Sequence, residues 1–177
     1  PRSCWYCPLS DTRKDKDVIY ANEWKIENMD QMLKEANLTD AKGAGITGGD
    51  PLAKIDRTCE YIKYLKEKFG KKFHIHLYTT FVLASRDNFK KLYDVGLDEI
   101  RFHPDFDKKE DWNKIDLALE YDWEVGLEIP GIPKCKEQIF EMIDFFKDKV
   151  KFLNVNELEV SEMNMDDMEK YGYVTKT

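Results

Sequence analysis

The sequence has no long hydrophobic run, no excess of positive charge and few cysteines. No apolar stretch approaches the roughly 20 residues that cross a bilayer, and no segment resembles a secretory signal, so we expect a cytoplasmic protein without a membrane partner. Acidic residues number 35 and basic residues 28, for a formal net charge of -7, which disfavours a broad nucleic-acid-binding face. Four cysteines in 177 residues do not indicate a disulfide scaffold.

What the sequence does contain indicates one α/β domain over residues 1–177. Hydrophobic residues make up 42% of the chain, enough to bury a sizeable core. Apolar periodicity and breaker residues predict helices over 23–36, 56–69, 87–93, 112–121 and 137–150. Strands are predicted over 42–47, 73–80, 98–106, 123–133 and 152–160. Strands that alternate with helices in this way form βαβ units and a parallel sheet.

One face of each of the last four predicted strands is polar. His74, His76 and Tyr78 alternate with apolar residues, because successive side chains of a strand point to opposite faces. The same face of the later strands carries Arg101 with His103, then Glu128, then Asn154 and Asn156. In a doubly wound sheet both faces are covered by helices and are apolar. We therefore expect a barrel, or a curved partial barrel, whose inner face lines a cavity.

Cys4 and Cys7 form a C-x-x-C pair at the start of the chain. An isolated pair of this kind is about as often a chance occurrence or a redox dithiol as a metal site. A Cys directly before Pro1 would complete C-x-x-x-C-x-x-C, and three such thiolates can hold three irons of a [4Fe–4S] cluster. We expect that Cys, after a short apolar strand, in the full-length protein, and no stable cluster on residues 1–177 alone.

A second motif, "TGGDPL", follows the first predicted strand. It is either an ordinary turn, since Gly-Gly and Asp-Pro both break regular structure, or a turn whose glycines let the backbone approach a ligand closely.

Together the two motifs resemble those of the radical S-adenosylmethionine (SAM) superfamily. Its cluster motif, C-x-x-x-C-x-aromatic-C, is matched by Cys4, Tyr6 and Cys7, and its "GGEP" motif by Gly48 to Pro51, with Asp50 in place of Glu. The stretch "GLEIPGIP" resembles the fifth-strand segment that lies near the adenine of SAM. Within the superfamily, "CWYCPLS" and "LNVNELEVSEMN" are most similar to an archaeal group related to pyruvate formate-lyase activating enzymes.

The resemblance implies a partial (β/α)6 barrel of parallel strands with outer helices, whose first strand would precede Pro1. It also implies a [4Fe–4S] cluster, reductive cleavage of SAM to a 5′-deoxyadenosyl radical, and hydrogen abstraction from an unknown small-molecule, peptide or protein substrate. The electron donor would be a ferredoxin or flavodoxin. The implied iron ligands are Cys4 and Cys7. The residues expected to converge on the cofactor are Tyr6, Thr47, Gly48, Gly49, Asp50, Pro51, Thr79, Arg101, His103, Glu128 and Asn156.

Two other functions remain open at this stage. One is an iron–sulfur or SAM-binding redox module without turnover. The other is a divalent-metal hydrolase that uses His74 and His76, an H-x-H pair, although their mid-strand position favours a hydrogen-bonded role inside the cavity. Arg101 could equally form a structural pair with Glu128.

Overall fold

The computed structural model describes residues 4–7, 13 and 16–174. The strands in these ranges are β1 (Tyr20–Ala21), β2 (Trp24–Lys25), β3 (Gly43–Ile46), β4 (His74–Thr79), β5 (Glu99–Phe102), β6 (Glu124–Pro130) and β7 (Phe152–Asn156). The α-helices are α1 (Met29–Leu38), α2 (Ile55–Phe69), α3 (Arg86–Asp94), α4 (Ile115–Ala118), α5 (Lys136–Phe146) and α6 (Met165–Lys170). Short 3-10 helices cover Pro51–Lys54, Lys109–Lys114 and Pro133–Cys135. In the part of the chain described, no helix is both long and apolar enough to cross a membrane.

The five strands β3 to β7 form one parallel sheet in sequential order. A doubly wound sheet would reverse its strand order at a switch point. Sequential order with right-handed crossovers instead places the connecting helices on one face and leaves the other face free to curve inward. The predicted α/β partial barrel of parallel strands is confirmed.

The core lies between the outer face of the sheet and the helices. Ile75, Leu77, Ile100 and Phe102 on this face are each 0% exposed. The helices bury a matching set of side chains against them, namely Ile62, Leu65, Phe89, Leu92, Ile115, Ala118, Met142 and Phe146. Burial of each large apolar side chain contributes about 1.5–3 kcal/mol, so this layer holds the sheet in place and fixes which face is turned inward.

The largest differences between prediction and structure are in two predicted helices. The prediction for 23–36 begins too early, because Asn28 caps α1 by accepting a hydrogen bond from the Gln31 backbone N–H at 3.0 Å. Trp24, inside that predicted helix, lies in β2 and is 68% exposed. The prediction for 112–121 is also too regular, because that segment is a 3-10 helix followed by the four-residue α4. There Trp123 Nε1 donates to the Ala118 carbonyl at 2.8 Å, just where α4 ends.

Candidate functional site

The turn after β3 is tied to the carboxyl end of β4 by Asp50. Its carboxylate accepts hydrogen bonds from Thr79 Oγ1 at 2.8 Å, from Thr80 Oγ1 at 3.1 Å and from the Leu52 backbone N–H at 3.0 Å. Pro51 follows as the first residue of a 3-10 helix. The Asp50 side chain therefore shapes the turn from within.

The two glycines of this turn lie at the surface beside Thr47. Gly48 has φ +124°, a conformation that L-residues other than glycine rarely adopt. Gly49 does not need a positive φ, and a Cβ added to it would have no atom within 4 Å. The backbone of Gly48 and Gly49 is thus open to a ligand.

The loop that carries Cys4 and Cys7 lies at the same end of the sheet. The Cys7 backbone N–H donates to the Cys4 carbonyl at 3.1 Å, which closes a turn in which Cys4 is half-buried and Cys7 is exposed. Tyr6 Oη lies 2.7 Å from His103 Nε2, just beyond β5. His103 Nδ1 lies 3.1 Å from the Glu128 carbonyl oxygen, which can only accept. Nδ1 therefore carries a proton and donates it to this carbonyl.

A continuous set of contacts links the glycine turn to the cysteine loop. Asp50 binds Thr79 Oγ1, the Thr79 carbonyl accepts from the His103 backbone N–H at 2.8 Å, and the His103 ring binds Tyr6. Because these contacts follow the ends of neighbouring strands, the two motifs are held at one edge of the sheet.

The C-terminal segment holds the cysteine loop from its other side. Asn164 is 1% exposed, and its Nδ2 donates to the Tyr6 carbonyl at 2.9 Å and to the Glu159 carbonyl at 3.0 Å. Its Oδ1 accepts from the Ser161 backbone N–H at 2.8 Å. The Trp5 ring packs on those of Tyr171 and Tyr173, with centroids 4.5 and 5.5 Å apart. Sequence reasoning noted the segment that ends at Asn164 but missed this contact.

The inner face of the sheet carries a charged network centred on Arg101. Its Nη1 donates to Glu128 Oε2 and to the Tyr78 hydroxyl, each at 2.9 Å, and its Nε donates to Glu99. Glu128 also accepts from Asn156 Nδ2 at 3.0 Å. Arg101 thus forms the structural pair with Glu128 that the sequence left open.

The network fixes the charge of Glu128. Burial alone would raise the pKa of this carboxyl, but hydrogen bonds from Asn154, Asn156 and Arg101 outweigh burial and lower the pKa. The carboxylate is therefore ionised at neutral pH. Since the Glu128 backbone also binds His103, the network is connected to the cysteine loop through the His103 ring.

Of the residues expected to converge, the structure joins most through direct contacts. The joined set is Tyr6, Asp50, Thr79, Arg101, His103, Glu128 and Asn156. Thr47, Gly48, Gly49 and Pro51 adjoin Asp50 along the chain. An open surface depression lined by residues 156–160 lies beyond β7.

Two comparisons relate this chain to known proteins. The profile of the Radical SAM superfamily matches residues 1–151. A protein of Methanocaldococcus jannaschii named "Putative glycyl-radical enzyme activating enzyme" is 44% identical over 183 residues. The match covers 98% of this chain and 48% of that relative, so the chain spans about half of the relative's length.

Proposed function

The chain belongs to the radical SAM superfamily, whose members are enzymes that use a [4Fe–4S] cluster and SAM, and from this premise we propose how its residues hold both groups. The observation that carries the proposal is the set of contacts from Asp50 through Thr79 and His103 to Tyr6. These contacts place the glycine turn and the cysteine loop at one edge of the sheet, where the sites of βα barrels lie.

Cys4 and Cys7 would hold the cluster. Thiolates are the ordinary iron ligands of such clusters, and this pair lies in a closed turn at the carboxyl edge. When bound, the cluster supplies the electron that cleaves SAM to methionine and a 5′-deoxyadenosyl radical, which removes hydrogen from the substrate. Tyr6 and Asn164 would keep the loop in place, the first through its hydroxyl on His103 and the second through the Tyr6 carbonyl.

The glycine turn would bind the methionine end of SAM. The exposed backbone at Gly48 and Gly49 offers carbonyl groups that can accept hydrogen bonds from an ammonium group. The Asp50 carboxylate already holds two threonine hydroxyls and a backbone N–H, so its part is to set the shape of the turn. This role accounts for an Asp at the position of the family's Glu.

Arg101 acts as a positioning residue. Its guanidinium binds Glu99, Tyr78 and the Glu128 side chain, and the backbone carbonyl of Glu128 in turn accepts from the His103 ring. Asn156, at the carboxyl end of β7 and bound to Glu128, would face the nucleoside part of the cofactor.

The substrate we propose is a glycyl residue of a partner protein. The relative from M. jannaschii carries the name of a glycyl-radical enzyme activating enzyme, and the likeness covers 98% of this chain. A ferredoxin or flavodoxin would serve as reductant. Because the chain spans 48% of that relative, residues outside it would contribute to recognition of the partner.

The test uses the protein at its natural full length, reconstituted anaerobically with iron and sulfide. We expect 5′-deoxyadenosine to form from SAM with dithionite or reduced flavodoxin, and none to form in a Cys4→Ser/Cys7→Ser variant. A loaded cluster that binds SAM and releases no 5′-deoxyadenosine would instead identify a redox module. Candidate partner proteins are then added and examined by electron paramagnetic resonance. A partner that acquires a glycyl radical signal is the substrate, and no such signal in any candidate would refute the proposed glycyl substrate.

A further inference from the structure

Three potential metal ligands meet at the amino end of the sheet, away from the cysteine loop. They are His74 and His76 of β4 and Glu99 of β5, and one ligand atom from each lies within 4.8 Å of the others. His76 is the register partner of Glu99, and His74 Nε2 lies 3.1 Å from Glu99 Oε2. All three residues project from the inner, polar face of the sheet.

We propose that His74, His76 and Glu99 bind a Zn²⁺ ion inside the barrel, at a site separate from the cluster. Two imidazoles and one carboxylate favour zinc over magnesium or calcium, which prefer oxygen ligands. Three protein ligands leave a fourth tetrahedral position for water.

The space around His76 supports this site. A Cβ added at Gly45, the β3 partner of His76, would lie 2.5 Å from His76 Nε2 and 3.1 Å from Cε1. Only glycine therefore lets the ring take its position. Within the ranges that the structure describes, no hydrogen bond involves the His76 ring, although the residue is half-buried. A half-buried imidazole without such a partner is a group that a metal ion would satisfy.

The local charges also suit a dication. Glu99 is 5% exposed and is paired with Arg101, which also pairs with Glu128, so these three groups together carry one negative charge.

The site is distinct from the one described above. His103, which holds the cysteine loop, follows Glu99 by four positions on the same strand path. At about 3.3 Å per residue this separates the backbones of Glu99 and His103 by about 13 Å.

The test measures Zn²⁺ binding by calorimetry in a Cys4→Ser/Cys7→Ser background, so that the Cys4 and Cys7 thiolates play no part. We expect one equivalent of Zn²⁺ to bind and to raise the melting temperature. His76→Ala and Glu99→Gln should each weaken binding by at least about 100-fold, above the range of about 10- to 100-fold that is typical of outer-shell changes. Glu99→Gln keeps an oxygen acceptor for Arg101, and His103→Asn is the matched histidine control that should retain binding.

Co²⁺ substitution gives a second readout, since a nitrogen and oxygen site shows ligand-field bands without a thiolate charge-transfer band. Circular dichroism of each metal-free variant checks that it is folded. Zn²⁺ affinity that is equal in the background protein and in folded His76→Ala or Glu99→Gln, or no binding to the background protein, would overturn the proposal. Because the background lacks Cys4 and Cys7, either result is independent of the SAM chemistry.

Discussion

Replacement of Gly49 by Val separates cofactor binding from folding. Gly49 does not occupy the positive φ region, and its added Cβ would meet no atom within 4 Å. The valine side chain should therefore fit the protein itself. We expect the free energy of unfolding to stay within about 0.5 kcal/mol of wild type, or to rise by up to about 1 kcal/mol because the unfolded chain loses freedom.

The valine side chain should be unfavourable only when SAM binds. If the methionine end of SAM packs against this backbone, three added carbon atoms overfill the contact at a cost of about 1–3 kcal/mol. At about 1.4 kcal/mol per tenfold change in affinity, SAM binding weakens by roughly 5- to 150-fold. Calorimetric titration of SAM into reconstituted full-length protein measures this loss, and iron content should be unchanged.

Gly48→Ala is the matched control for backbone strain. Gly48 has φ +124°, so a side chain there costs about 1–3 kcal/mol of stability and lowers the melting temperature. Equal SAM affinity in wild type and Gly49→Val would refute the assignment of this turn to the cofactor. A large loss of stability in Gly49→Val would show that the space beside it is not open.

Three other changes test the surrounding structure. Asn164→Ala leaves the Tyr6 carbonyl without its amide donor, so we expect a loss of about 1–3 kcal/mol and a shifted cluster reduction potential, whereas the exposed Asn37→Ala should shift neither. The lowered pKa of His76 means that folding favours its neutral ring, so its contribution to stability is complete above the ordinary value of 6.5 and is lost as pH falls below it. Urea unfolding should therefore show that the free energy of unfolding falls less between pH 7 and pH 5 in His76→Gln than in wild type. An equal fall in both proteins would contradict this. Arg101→Met leaves two carboxylates on the inner face without their cationic partner, and it should lower the free energy of unfolding by on the order of 3 kcal/mol. The surface change Lys109→Met should lower it little. Similar effects of the two changes in thermal or urea unfolding would contradict the structural role of the Arg101 network.

The sheet and its polar face are predictable from the sequence because both depend on local periodicity. Alternation with period two places His76, Arg101 and Glu128 on one face, and the structure joins Arg101 to Glu128. Glu99, two positions before Arg101, follows from the same alternation but was overlooked.

Other features have no local signal. Asn164 binds the backbone of Tyr6 across 158 positions of sequence, and an Asn in an irregular acidic segment does not indicate which carbonyl it will reach. The helix predicted over 23–36 was wrong at its start because apolar spacing cannot distinguish a helix from the short β1–β2 pair that precedes the Asn28 cap.

The central claim is that the cysteine loop and the glycine turn form one site. Electron–nuclear double resonance on the reduced, full-length protein, with SAM isotopically labelled at its amino nitrogen, tests this most directly. We predict that the labelled nitrogen couples to the cluster in wild type and that the coupling weakens or disappears in Gly49→Val. SAM that binds the loaded protein without any such coupling would contradict the account.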